Sequence, residues 1–207
     1  MGKKAAKSMS RIERRDRGTY EIFPDGSEKD ISGEIPFDIP DSWEWCRLQN
    51  YCLYGEVPSI KVKDCSPDFW VLDLEDIPPH SGHILQRITA KERPSTSNKH
   101  LFKHGMVLYS KLRPYLNKVI VAEESGCCTT EIIPISLFAK SSPHFLQLLL
   151  MSPMFVDTIN ADSYGVKMPR ADSKKIKDFL IPVPPLKEQH RIVEELGVLM
   201  NELETTK

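Results

Sequence analysis

No two of the ten glycines lie two positions apart. That excludes the Gly-x-Gly turn of a dinucleotide-binding fold and a methyl-donor loop of the same type, and no Walker-type phosphate loop occurs either. The Asn/Asp-Pro-Pro-aromatic turn of a base methyltransferase is missing: the Pro-Pro pairs, Pro78-Pro79 and Pro184-Pro185, stand in other contexts. Pro67-Asp68 opens a nuclease-like pattern, but no acid-x-Lys follows to complete a magnesium site. The five cysteines (Cys46, Cys52, Cys65, Cys127, Cys128) are odd in number and contain no Cys-x-x-Cys. This argues against a zinc site and a disulfide framework, and for reduced, mostly buried thiols in a cytoplasm. His80 with His83, and His100 with His104, are spaced for a metal only on a suitable element, and read as loop or solvated histidines. The most apolar stretch, around Phe145 to Met151, falls short of the ~18 residues that span a bilayer. The lysines at the N-terminus precede no apolar segment, so they form no secretory signal. We expect no catalysis, no metal, no cofactor bound by this chain and no membrane partner.

What is present is an uneven distribution of charge. The formal net charge is −1, yet Arg87, Lys91, Arg93, Lys99, Lys103, Lys111, Arg113 and Lys118 face a single acid, Glu92, within one window. The stretch before it, from Asp64 to Asp76, is acidic. Such a window is either a solvated face or a surface for an anionic partner, and its one-sidedness favours the anion.

Residues 1–34 are polar and basic and read as a flexible or partly helical arm, with a turn at Pro24-Asp25-Gly26. The fold should begin at residue 35, where prolines keep the chain extended while Phe37, Ile39, Trp43 and Trp45 alternate. Short β-type runs follow at Phe69–Leu74, His83–Leu85, Met106–Tyr109 and Lys118–Val121, with a polar loop from Ala90 to Lys99 between them. One helix is expected from Pro143 to Asn160, capped by Ser142, and another from Ser173 to Asp178. Cys127 and Cys128, being adjacent, should point to opposite faces of a strand. The predicted class is α+β: a globular domain over 35–183 with a small mixed β-sheet and flanking helices, then an exit helix over 184–207.

Two segments carry the nucleic-acid expectation. From Leu108 to Lys118, cations, aromatics and hydrogen-bonding side chains interleave. On a strand and tight turn Lys111, Arg113, Tyr115 and Asn117 would share one face, with Lys118 next to it. Lysine neutralises phosphates, arginine grips guanine, and asparagine pairs with adenine. Arg87, Lys91 and the loop Arg93, Ser95, Thr96, Ser97, Asn98 and Lys99 add further donors. The alternative is that Arg113 and Tyr115 pack a turn rather than read bases.

The C-terminal helix has its own pattern. Prolines lead into it, Leu186, Val193 and Met200 fall seven apart, Gln189, Leu196 and Leu203 do likewise, and Ile192 and Leu199 widen the stripe. This is either a coiled-coil seam with one polar position or a helix folded back on its own core.

These segments, taken in order, resemble the specificity subunit of type I restriction–modification systems, with one target recognition domain and the start of a spacer helix. The resemblance runs through Glu34–Trp45, Phe69–Asp76, Phe102–Lys118, Gly126–Glu131, Gly165–Arg170, Pro184–Gln189 and Ile192-Val193. It implies a non-catalytic module that reads one part of a split double-stranded DNA target. It also implies partners: a modification subunit that uses S-adenosylmethionine, a restriction subunit that uses ATP and magnesium, and a second spacer helix packed against this one. A full subunit has two recognition domains. This chain is therefore either a half-subunit that forms a homodimer or a fragment; the competing readings are a decoy or fragment that associates with modification subunits without reading DNA, and the recognition part of a fused restriction–methylation enzyme with its catalytic domains on another chain.

Overall fold

The computed structural model describes residues 9–138, 141–161, 163, 165 and 168–205, with side chains in the last helix through Leu199 and at Glu202. The first finding corrects an expectation. Residues 11–30, predicted as part of a flexible or partly helical arm, form an antiparallel sheet of β1 (Arg11–Arg15), β2 (Gly18–Ile22) and β3 (Glu28–Asp30). The β2–β3 hairpin turns at Pro24-Asp25-Gly26, as its sequence indicated. The sheet was hidden because the inward positions of β2 are polar, Thr19 and Glu21. Glu21 is buried by pairing with the equally buried Arg47 at 2.9 Å. Arg47 also reaches Glu34 at 2.7 Å, and Arg14 donates to the carbonyls of Ile39, Pro40, Asp41 and Trp43. Ile31, Ile39, Trp45 and Leu180 form the apolar cluster beneath.

The rest of the chain alternates short strands and turns: β4 (Glu44–Arg47), α1 (Leu48–Tyr51), β5 (Cys52–Tyr54), β6 (Ser59–Lys61) and β7 (Trp70–Leu72). Then come β8 (Asn98–Phe102), β9 (Val107–Ser110), β10 (Val119–Val121), β11 (Gly126–Cys128) and β12 (Ile132–Leu137). Two four-stranded sheets result, ordered β10-β9-β12-β5 and β6-β8-β11-β7. All pairings are antiparallel except β11 with β7, so the second sheet is mixed. The expected strand at His83–Leu85 does not form.

Cys127 and Cys128 point to opposite faces of β11, one into the Val62, Val71 and Ala90 cluster, the other into the Trp70, Leu72 and Phe102 cluster. All five cysteines are free thiols. Burial pushes the pKa of Cys52 and Cys127 up to about 12, so both stay protonated and inert.

The helix predicted over Pro143–Asn160 is two helices, α2 (Pro143–Met151) and α3 (Pro153–Ala161). Pro153 has no amide hydrogen, and the chain restarts at Ser152, which is extended. Ser142 caps α2, its hydroxyl accepting from the Phe145 amide at 3.3 Å. The helix expected near Ser173 is α4 (Ser173–Asp178), capped by Asp172. β13 (Leu180–Val183) then pairs with β4, and α5 (Leu186–Thr205) leaves the domain.

Candidate nucleic-acid interface

A short acidic turn, Leu74–Asp76, follows β7 and organises both candidate segments. It is closed by a capping box: the Asp76 carboxylate accepts the Asp73 amide at 2.7 Å, and Asp73 accepts that of Leu74 at 3.1 Å. Asp76 is fully buried. Its charge is met by Arg93, whose Nη2 lies 2.9 Å from Oδ1. Arg93 also contacts Glu75 at 2.9 Å and donates to the Val71 carbonyl. Hydrogen bonding to Asp76 raises the Arg93 pKa.

Lys99 pairs with Asp73 at 3.1 Å and is 6% exposed. Lys118 donates to the Leu74 carbonyl at 2.7 Å. Burial lowers its pKa, repulsion from Arg113 adds to this, and Asp76 opposes it. Arg87 is paired with Glu124.

The basic window is therefore less open than its composition implied. Arg87, Arg93, Lys99 and Lys118 are held by internal partners. Among the described residues no ion pair is formed by Lys91, Lys103, Lys111 or Arg113, and Lys91 and Lys103 are exposed. Lys103 follows the far end of β8 from Asn98. Of the loop residues, Thr96, Ser97 and Asn98 are exposed and Ser95 is half-buried, its hydroxyl 2.8 Å from that of Ser97.

The segment Lys111–Asn117 does not alternate as a strand would. Residues Pro114–Leu116 form a 3-10 turn between two residues in the left-handed region, Arg113 at φ 50° and Asn117 at φ 48°. Tyr115 projects, 46% exposed, while Asn117 turns inward and donates to the Met151 carbonyl at 2.9 Å. His80 is also left-handed (φ 57°), and its amide donates to the Leu116 carbonyl. Non-glycine residues adopt this conformation at a cost that neighbouring structure must offset. Here the offset is visible. The Arg113 amide donates to the Pro169 carbonyl, Leu112 bridges Arg170, and Arg170 pairs with Glu131 at 3.0 Å. Three separate sequence motifs thus meet to hold one turn. Arg113 Nε and Asn117 Oδ1 are buried without a hydrogen-bond partner among the described residues.

The anchoring carboxylates Asp73, Asp76 and Glu131 were not singled out as site residues from the sequence. The Asp73-x-x-Asp76 spacing is that of a capping box and was the available signal.

The exit helix divides in two. Gln189 is 2% exposed and accepts from the Ser142 amide at 2.9 Å, and its own amide donates to the Pro184 carbonyl at 2.9 Å. Ile192 and Val193 pack on the main core, the cluster that includes Tyr51, Phe145, Leu146 and Leu149, and Leu186 is half-buried. Gln189, expected as the polar position of a seam, instead anchors the helix to its own domain. Beyond it, Leu196, Val198 and Leu199 are 37%, 53% and 53% exposed. The side chains of Met200 and Leu203 lie outside the described residues.

Among the described residues no three His, Cys, Asp or Glu side chains are grouped to hold a metal ion, and no helix is long and apolar enough to cross a membrane.

Residues 43–207 match the family model of the type I restriction modification DNA specificity domain. The chain is 34% identical over 171 residues to the specificity subunit of the Escherichia coli type I restriction enzyme EcoDI, covering 80% of this chain and 36% of that protein. For the EcoAI specificity subunit of the same organism, the identity is 25% over 183 residues, covering 81% of this chain and 30% of that protein. The chain thus spans about a third of the length of these curated relatives. The crystal structure of the HsdS subunit from Thermoanaerobacter tengcongensis superposes with a TM-score of 0.67 at 27% identity, over 83% of this chain and 45% of that one. Fold, motif order and sequence agree, and the chain belongs to the type I restriction–modification DNA specificity family.

Proposed function

We propose that this chain reads one half of a split double-stranded DNA target and docks a methylation subunit, without catalysis of its own. The observation that carries this reading is the shared support of two polar segments. The loop from Arg93 to Lys99 and the turn from Lys111 to Lys118 both rest on the Asp73–Asp76 turn. That fixes exposed hydroxyls, an amide, a tyrosine and one lysine without an ion pair among the described residues, Lys111, on one rigid base. Rigid presentation lowers the entropic cost of binding and gives specificity.

The free half of α5 provides the second function. Its exposed Leu196 and Leu199 suit an antiparallel partner helix, supplied by a second copy of this chain or by another recognition domain. On this spine a modification subunit using S-adenosylmethionine and a restriction subunit using ATP and magnesium would assemble in the cytoplasm. A two-fold pair of identical chains would read a symmetric split site.

The decoy reading draws on a different observation, the internal pairing of Arg87, Arg93 and Lys99, which leaves fewer cations for phosphates. The test is a genome-wide map of methylated adenines in cells carrying a cognate modification subunit, with and without this chain. A new symmetric split motif supports the self-paired reader, and an asymmetric one supports pairing with a different recognition domain. No new methylation from folded, expressed protein supports the decoy.

A further inference from the structure

The loop between Arg93 and Lys99 is tethered at both ends to the same turn, and Asn98, which opens β8, is paired with Lys61 of β6. Arg93 closes the leading end on buried Asp76. Lys99 closes the trailing end on Asp73, with only 6% of its surface exposed. Asp73 and Asp76 are the two halves of one capping box, so the two anchor points cannot drift apart. Just upstream, Glu92 binds the amide and hydroxyl of Thr89 at 2.8 and 2.7 Å and closes a further turn.

Between the anchors, Ser95 and Ser97 bond each other. The exposed side chains of Thr96 and Asn98 make no hydrogen bond among the described residues. They are a hydroxyl and a carboxamide, each with donor and acceptor capacity, presented from a pinned backbone. A carboxamide pairs bidentately with the adenine edge, and a hydroxyl serves any base.

Resting on the DNA-reading proposal, we infer that Thr96 and Asn98 read base edges in the major groove, and that Arg93 and Lys99 are positioning residues rather than phosphate contacts. Lys99 is too buried to neutralise a phosphate. The division of labour makes a distinction that charge alone does not: loss of Thr96 and Asn98 changes which sequence is chosen, whereas loss of Lys91 changes how tightly any DNA is held.

The test selects duplexes from a randomised pool with the full chain at fixed salt, then measures binding to the selected site across a salt series. The T96A/N98A variant, checked for folding by circular dichroism, should lose roughly 5- to 100-fold of discrimination at one or two base pairs, the worth of a side chain–base pairing. Its salt slope should equal that of the wild type. Lys99→Met should weaken discrimination without changing the slope. Lys91→Ala should lower the slope by about 0.9, the value of one phosphate contact. The assignment is overturned if T96A/N98A selects and discriminates as the wild type does, or if Lys99→Met lowers the slope. If the wild-type chain selects no sequence, the DNA-reading proposal fails and this assignment fails with it.

Discussion

Gln189 accepts the backbone amide of Ser142 at 2.9 Å, so the first turn of α5 is bonded to the residue that caps α2. Tyr51 reaches the same carboxamide oxygen at 3.4 Å. The exit helix therefore leaves the domain at an angle fixed by buried hydrogen bonds rather than by a flexible joint. Replacing Gln189 with Leu would strand the Ser142 amide and the Pro184 carbonyl in the interior. The expected cost is about 2 kcal/mol in urea unfolding, the price of a buried group left unsatisfied. An unchanged midpoint would mean that the helix is held by its apolar contacts alone.

The two halves of α5 should respond differently to charge. Ile192 packs against the main core, so Ile192→Glu should destabilise the folded chain. Leu196 is 37% exposed, so Leu196→Glu should leave the unfolding midpoint within about 0.5 kcal/mol of wild type. The same change should remove self-association measured by sedimentation. A dimer that survives Leu196→Glu would show that this stripe is not the pairing surface.

How much of this was readable in the sequence depends on the range of the interaction. The Ser142 cap and the helix at Ser173 are written in neighbouring residues, and the structure has both. The β1–β3 sheet was not readable, because its buried positions are polar and the charged one, Glu21, is neutralised by Arg47, 26 residues beyond it. The basic window misled for a similar reason. Composition counts Arg93 and Lys99 as cations, but their neutralising partners Asp76 and Asp73 lie 17 and 26 residues away. Likewise the strand-like alternation of Lys111, Arg113, Tyr115 and Asn117 is broken by left-handed residues. Their partners lie far along the chain: the Arg113 amide donates to the Pro169 carbonyl and the Asn117 carboxamide to that of Met151.

Removing Arg93 tests the acidic turn directly. Arg93→Ala would leave the fully buried Asp76 carboxylate without its cation. The expected loss is about 3 kcal/mol, as for other buried pairs broken on one side. The double change Arg93→Ala with Asp76→Asn should recover part of it, since the amide carries no charge to bury. A double variant no more stable than the single one would show that the loss comes from Arg93 packing and its bond to Val71 instead.

Gly126 should tolerate no side chain. A Cβ there would stand 2.7 Å from the Phe102 ring and 2.8 Å from the Trp70 carbonyl oxygen. The ring is fully buried and stacked edge to face on Trp70, and the carbonyl belongs to the partner strand β7, so neither moves freely. Gly126→Ala is expected to cost about 1–3 kcal/mol through overpacking, read from the shift in thermal unfolding.

The attachment of the N-terminal sheet should be sensitive to acid. Burial pulls the Glu34 pKa up, but hydrogen bonds from Lys29 and Arg47 outweigh it and hold the carboxyl below its ordinary value. A carboxylate with a depressed folded pKa contributes stability that is fully present above the ordinary value, about 4.3. The contribution is lost as pH falls through the lower folded value. As pH falls through the folded value Arg47 loses one of its two carboxylate partners, and the contact between the sheet and the Trp45 cluster weakens. Tryptophan fluorescence should report this as a transition below about pH 4.3. In Glu34→Gln, which has no proton to gain there, its amplitude should fall. An identical acid transition in that variant would place the sensitivity in a different carboxylate.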